Sequence, residues 1–383
     1  MNFELATAAR IIFGPGKIAE LPAMARAFGS RALLVTGRNS GRAASVQAAL
    51  ADSGVESPLF SAEGEPTLET VRQGVQVCRR GCQLVISFGG GSAIDAGKAV
   101  AALTPNSGEP LEYLEVIGRG QPLRNDPLPF IAIPTTAGTG SEVTRNAVLG
   151  SPEHGLKASL RSPLMLAKIA LVDPDLTVDL PREITANTGL DALTQVIEPF
   201  VSCRANSLTD LFCREGMQRI GWALPAAYED GGNRGARESM AFASLLGGLA
   251  LANAGLGVVH GFAAPLGGML TAPHGAICAA LLPHAIAVNV QALRNRAPGN
   301  PALRKYDEVA RILTGNTQAR AEDAASWTGT LCRKLSVAPL GVLGLRREQI
   351  PTLVERAQKA NSMKANPLPL AAEELAHIAE RSL

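Results

Sequence analysis

The chain has 383 residues, with 36 Lys and Arg against 34 Asp and Glu, for a formal charge of +2. Hydrophobic residues make up 46% and charged residues 18%, which excludes a disordered chain and predicts a large core; the length predicts two domains, with one large α/β barrel as the alternative. So small a net charge, with 4% aromatic residues, supplies neither the field for a phosphate backbone nor platforms for bases, so no nucleic-acid partner is expected.

Three apolar runs rich in β-branched residues stand in the first half, Ala32–Thr36, Gln83–Phe88 and Pro129–Pro134, with helical patterns between them. Such runs predict a parallel sheet covered on both faces, and hence a nucleotide-binding half. The strand ending at Phe88 enters Gly89-Gly90-Gly91-Ser92, and Ala93–Val100 reads as a helix. Glycines let the backbone approach a pyrophosphate, while the free N–H groups and positive end of the new helix stabilise its charge; a tight turn is the plainer reading. A second polar loop, PTTAGTGSEVT at 134–144, follows the next strand. Its hydroxyl side chains at the C-terminal end of a parallel strand suit phosphate or ribose. Strand signals stop after Asp173-Pro174-Asp175 and Leu180-Pro181, which predicts an α/β dinucleotide-binding domain over 1–181 and an all-helical domain over 182–383. Breaks in the latter fall at Gly231-Gly232, Pro273 and Pro298–Pro301.

In the second half Thr188–Gln195 reads as a helix that places Asp191 and Gln195 on one face. No Asp, Glu, Lys or Arg occurs from Ser239 to Leu293, and Met240–Val259 is long enough to cross a bilayer. Asn253, Pro265, Pro273 and Pro283, with His260, His274 and His284, instead predict a buried helical core around a polar site, with no membrane partner. Asp191, His260 and His274 supply oxygen and nitrogen donors for a divalent metal with one position open, although each histidine alone reads as a hydrogen-bonded core residue. The six cysteines form no C-x-x-C pair and the opening residues carry no signal core, which predicts a cytoplasmic protein with reduced thiols.

Together these residues resemble the iron-containing (group III, metal-dependent) alcohol dehydrogenase family, whose superfamily includes glycerol dehydrogenase and dehydroquinate synthase. The likeness is carried by Phe13-Gly14-Pro15-Gly16, GGGSAIDAGK at 89–98, the 134–144 loop, Lys157, LVDPDL at 171–176, GLDALT at 189–194 and the spacing of His260 and His274. It implies the dehydroquinate synthase-like fold, a homodimer, and reversible interconversion of a small alcohol with an aldehyde or ketone using NAD or NADP. On that likeness Gly90, Gly91 and Ser92 hold the pyrophosphate, Thr135, Thr136, Thr139 and Thr144 line the cofactor cleft, and Asp95 and Lys157 lie near the nicotinamide. Lys157, His260 and His274 would serve catalysis.

Three positions depart from the family pattern. Gln195 stands where the family has a fourth metal ligand, a histidine, so iron or zinc is expected on Asp191, His260 and His274 with Gln195 binding weakly or holding a water. Ala264 stands where the common iron enzymes carry a proton-passing histidine, which leaves water, a ribose hydroxyl or another side chain as the relay. Gly37 replaces the acid of NAD-type members and Arg38 follows it, so NADP(H) is expected to serve at least as well as NAD(H). Two alternatives remain at this level: a metal-independent reductase resembling maleylacetate reductase, with His260 and His274 as electrophile and proton donor, and a nucleotide-binding protein that has lost catalysis.

Overall fold

The computed structural model describes residues 3–383. The chain forms two compact units, Ala6–Thr136 with Gly140–Thr177, and Val178–Leu383 with the short segment Ala137–Thr139.

Eight strands lie in the first unit: β1 Ile11–Phe13, β2 Ala32–Thr36, β3 Leu59–Ser61, β4 Leu84–Gly89, β5 Phe130–Pro134, β6 Asn146–Ser151, β7 Leu156–Arg161 and β8 Ile169–Val172. Six of them build one sheet in the order β1-β8-β5-β4-β2-β3, with every pair parallel. Strands β2, β4, β5 and β8 are buried at every residue, whereas β1 and β3 at the edges are partly exposed; continuous apolar runs are what a doubly covered sheet requires. The order reverses between β2 and β4, because β2 leads outward to β3 while β4 leads the other way to β5. A ligand crevice at the C-terminal ends of open α/β strands belongs at such a reversal, and the loops that start at Gly37 and Gly90 both begin there.

The remaining strands, β6 and β7, form an antiparallel hairpin running from Asn146 opposite Arg161 to Ser151 opposite Leu156. Lys98, fully buried in helix Gly91–Leu103, fastens its base by donating to the Ser141 carbonyl at 2.7 Å, Thr144 Oγ1 at 3.0 Å and the Asn146 carbonyl at 2.8 Å. Asp173 ties two motifs together, since its carboxylate accepts from Gly16 N at 3.1 Å and Ile18 N at 2.9 Å. That contact explains why the glycine turn after β1 and the Asp-Pro-Asp after β8 occur together.

The second unit is helical. Its first five helices are Arg182–Val201, Ser207–Glu229, Arg234–Ala254, Val258–Met269 and His274–Arg296, and four more follow, ending with Ala372–Arg381. The run Met240–Val259 is not one continuous segment: the chain turns at Gly255, with φ of 73°, and the helices on either side meet at 98°. That left-handed conformation is open to glycine at little cost. Pro265 and Pro283 lie inside helices and do not break them; burial of both helices in one core offsets the backbone hydrogen bond each proline forgoes. Helix His274–Arg296 is long and apolar enough to cross a membrane, yet 83% of its most apolar stretch is buried inside the protein.

Candidate metal and cofactor site

Helix Arg182–Val201 presents Asp191, Gln195 and Glu198 at helical spacing, and all three are buried, at 1%, 3% and 6% exposure. Val258–Met269 brings His260 to the same place. Glu198 fixes its ring, accepting from Val259 N at 2.6 Å through Oε1 and sitting 2.7 Å from His260 Nδ1 through Oε2. Glu198 engages Nδ1, so Nε2 is the ring nitrogen turned to Asp191 Oδ1, 3.3 Å away. This is the carboxylate–histidine pairing that sets the tautomer of metal-binding imidazoles.

His274 opens the next helix. Its neighbour Gly275 packs so closely on the backbone of Asn187, one turn before Asp191, that a side-chain carbon there would overlap the Asn187 carbonyl. This close approach brings His274 Nε2 to 3.7 Å from Asp191 Oδ1. One turn further on, the Cys278 sulfur lies 3.6 Å from His274 Nε2 and 4.0 Å from His260 Nε2. The donor atoms of Asp191, His260, His274 and Cys278 all fall within 4.8 Å of one another.

Gln195 lies beside Asp191. Its Nε2 donates to Asp191 Oδ2 at 3.1 Å, so the donating end of the amide is turned to the carboxylate and orients it. Asp191 Oδ1 is left buried without a hydrogen bond among the described residues, an arrangement that a cation satisfies, and Gln195 Oε1 is likewise buried without one. Burial alone would raise the Asp191 carboxyl, but His274, His260 and the Gln195 amide outweigh it and hold it below the usual range. Burial acts to lower both imidazoles; the Cys278 sulfur and the neighbouring carboxylates more than offset it, raising His260 well above an ordinary histidine and His274 to about 9. Two cationic rings, or a metal in their place, balance this charge. The residues present therefore fit a divalent ion.

Cys278 and Glu198 are not apparent from sequence. Both carry a usable signal: Cys278 follows His274 by four residues, and Glu198 extends the Asp191–Gln195 stripe by one further turn.

In the α/β unit, helix Gly91–Leu103 begins at Gly90 with no side-chain cap, and Gly91 and Ser92 are partly exposed. Its first N–H groups are therefore available to an anion. Asp95, 8% exposed, accepts from Val148 N at 3.0 Å and so anchors the hairpin to this helix. Thr135 follows β5 as a buried residue and Thr136 is partly exposed and sits over Gly90, while Thr139, in the short segment grouped with the helical unit, is partly exposed. Thr144 is 4% exposed, and its hydroxyl is taken up by Lys98 and the Ser141 carbonyl; it shapes the loop from behind. Lys157 stands on β7 with its side chain 10% exposed and paired with Glu65. Gly37 follows β2 with open space where a side chain would go, and Arg38 is exposed.

Residues 8–174 match the family model of iron-containing alcohol dehydrogenase, and residues 185–383 that of the Fe-containing alcohol dehydrogenase family, C-terminal. The chain is 34% identical to 1,3-propanediol dehydrogenase of Klebsiella pneumoniae over 96% of its own length and 95% of that protein's. A crystal structure of a 1,3-propanediol oxidoreductase superposes with a TM-score of 0.92 at 32% identity, covering 100% of both chains. The sulfoacetaldehyde reductase of Bifidobacterium kashiwanohense, solved in complex with NAD+, superposes with a TM-score of 0.87 at 29% identity, over 99% of this chain and 98% of that one. With both halves matched in order and candidate metal ligands converging, the chain belongs to the iron-containing alcohol dehydrogenase family, nicotinamide-dependent oxidoreductases that interconvert alcohols with aldehydes or ketones.

Proposed function

We propose that this enzyme is a divalent-metal alcohol dehydrogenase acting on a small alcohol or aldehyde, with Asp191, His260 and His274 holding the metal. We further assign nicotinamide binding to 1–181 and metal and substrate binding to 182–383, in a cytoplasmic homodimer. The observation that carries the metal reading is Asp191 Oδ1: a buried carboxylate oxygen without a hydrogen bond, faced by two imidazole nitrogens.

A bound divalent ion supplies Lewis acidity to the carbonyl oxygen, and the cofactor supplies the hydride chemistry. The chain's own residues do the rest. Gln195 engages Asp191 Oδ2 and keeps Oδ1 free; Glu198 keeps the proton of His260 on Nδ1. Gly90, Gly91 and Ser92 offer backbone N–H groups to the pyrophosphate, with Thr135, Thr136 and Thr139 as cofactor-binding hydroxyls and Thr144 and Asp95 supporting the loop. Lys157, held by Glu65, serves the nicotinamide ribose. With Ala264 where an imidazole would pass the proton, the relay runs through water or the ribose hydroxyls.

Protein purified without chelator should contain about one divalent ion per chain, and chelation should abolish reduction of a small aldehyde until iron or zinc is returned. Full reductase activity after exhaustive chelation would instead favour the metal-independent reductase reading.

A further inference from the structure

We propose that the Cys278 thiolate is the fourth ligand of the metal centre and that Gln195 is not a ligand, an assignment that rests on the metal reading above. With metal–nitrogen bonds of about 2.0–2.1 Å and a metal–sulfur bond of about 2.3 Å, tetrahedral ligand atoms stand about 3.3–3.6 Å apart. Four of the six separations are 3.3 Å for Asp191 to His260, 3.7 Å for Asp191 to His274, 3.6 Å for Cys278 to His274 and 4.0 Å for Cys278 to His260, and every pair lies within 4.8 Å. Three of the four are at or within a tenth of an ångström of that range, and the last is slightly long.

The chemistry of the donors agrees. Asp191 Oδ1 is buried without a hydrogen bond among the described residues, and His260 Nε2, His274 Nε2 and the Cys278 sulfur stand around it; a buried carboxylate oxygen of this kind is satisfied by a cation. Cys278 is 0% exposed. On coordination the Sγ–H bond breaks and its proton leaves to solvent, while sulfur donates its electron pair to the ion. Asp191 and Cys278 together then supply two negative charges, matching a divalent cation, whereas Gln195 in the same role would leave one uncompensated. A thiolate is a soft donor, which shifts the preference of the site toward zinc over iron(II). The cluster is accessible on one flank, because the His274 side chain is 37% exposed against 2% for Asp191.

Cobalt(II) substitution of the full-length protein tests the assignment without relying on turnover. The cobalt-loaded wild type should show an intense near-ultraviolet thiolate-to-cobalt charge-transfer band, with one ion per chain. Cys278→Ala should lose the band and weaken zinc binding by about tenfold or more, while Gln195→Ala should keep the band. Given equal zinc and iron(II) without oxygen, the wild type should take up zinc. A wild-type protein that binds one cobalt with no charge-transfer band overturns the Cys278 assignment and leaves Asp191, His260 and His274 standing. Failure to bind cobalt, zinc or iron at all overturns both readings. The wild-type spectrum decides the question even where a variant does not fold.

Discussion

Gly37 is the residue whose surroundings bear most directly on cofactor choice. A side chain there would meet nothing within 4 Å, so its glycine is not demanded by packing, and the space is available to a 2′-phosphate beside the exposed Arg38. A charge-assisted hydrogen bond contributes about 1.5–3 kcal/mol, which converts to roughly a 10- to 100-fold change. Arg38→Ala should therefore raise KM for NADPH by about tenfold or more and spare NADH, and Gly37→Asp, for which there is room, should discriminate further against NADPH. Equal losses with both cofactors in Arg38→Ala would remove this residue from 2′-phosphate recognition. At the same scale, the sequence exposes Asp191, His260 and His274 because carboxylate and imidazole stand out among residues that are otherwise mostly apolar. Cys278 and Glu198 are hidden for opposite reasons. A lone buried cysteine is chemically indistinguishable from a core residue until a histidine one turn away points at it, and a glutamate on a helix reads as surface until its neighbours bury it.

Among elements, the meeting of helices Arg182–Val201 and His274–Arg296 decides whether the donors converge. Gly275 is pressed against the Asn187 backbone, which cannot yield as a flexible side chain would. Gly275→Ala should therefore destabilise the protein by about 1–3 kcal/mol and weaken metal binding by moving His274 from Asp191. Gly221, inside helix Ser207–Glu229, is the control: nothing lies within 4 Å of its added carbon, and Gly221→Ala should stabilise by up to about 1 kcal/mol through helix propensity with unchanged metal affinity. Comparable losses of metal affinity in both variants would show that the contact at Gly275 does not position the site. The central strands are legible because each is a continuous apolar run; β2 spans the five residues expected, and β4 and β5 differ from expectation by one residue at one or both ends. The short edge strands β1 and β3 and the β6–β7 hairpin give no comparable signal. Hydrogen bonds to distant residues hold the hairpin, such as Lys98 to Asn146 and Asp95 to Val148. Gly255 is not legible as a breaker for a similar reason, since an alanine- and glycine-rich helix and a bend within one share a composition.

For the whole molecule, the four candidate ligands all belong to the helical unit, since Asp191, His260, His274 and Cys278 lie beyond Val178 in the chain, and metal and proton compete there for the same atoms. In the metal-free protein His274 is raised to about 9, against roughly 6.5 for an unfolded histidine. Because the folded value is the higher one, the folded state holds the extra proton between those values; this stabilisation is complete below about 6.5 and is lost as pH rises through about 9. A metal requires the neutral ring, so its affinity should climb over the same window by up to tenfold per unit for each proton displaced. At a hundredfold excess over its dissociation constant, a ligand specific to the native state stabilises by about 2.7 kcal/mol. At fixed zinc, the gap in unfolding free energy between loaded and metal-free protein should therefore widen steadily from about pH 6.5 to about 9. Hydrogen exchange should locate the gain in Arg182–Val201, Val258–Met269 and the first turn of His274–Arg296. A zinc-induced stabilisation of the same size at both ends of that window would mean that no proton leaves this cluster on metal binding, and the charge balance drawn for it would fail.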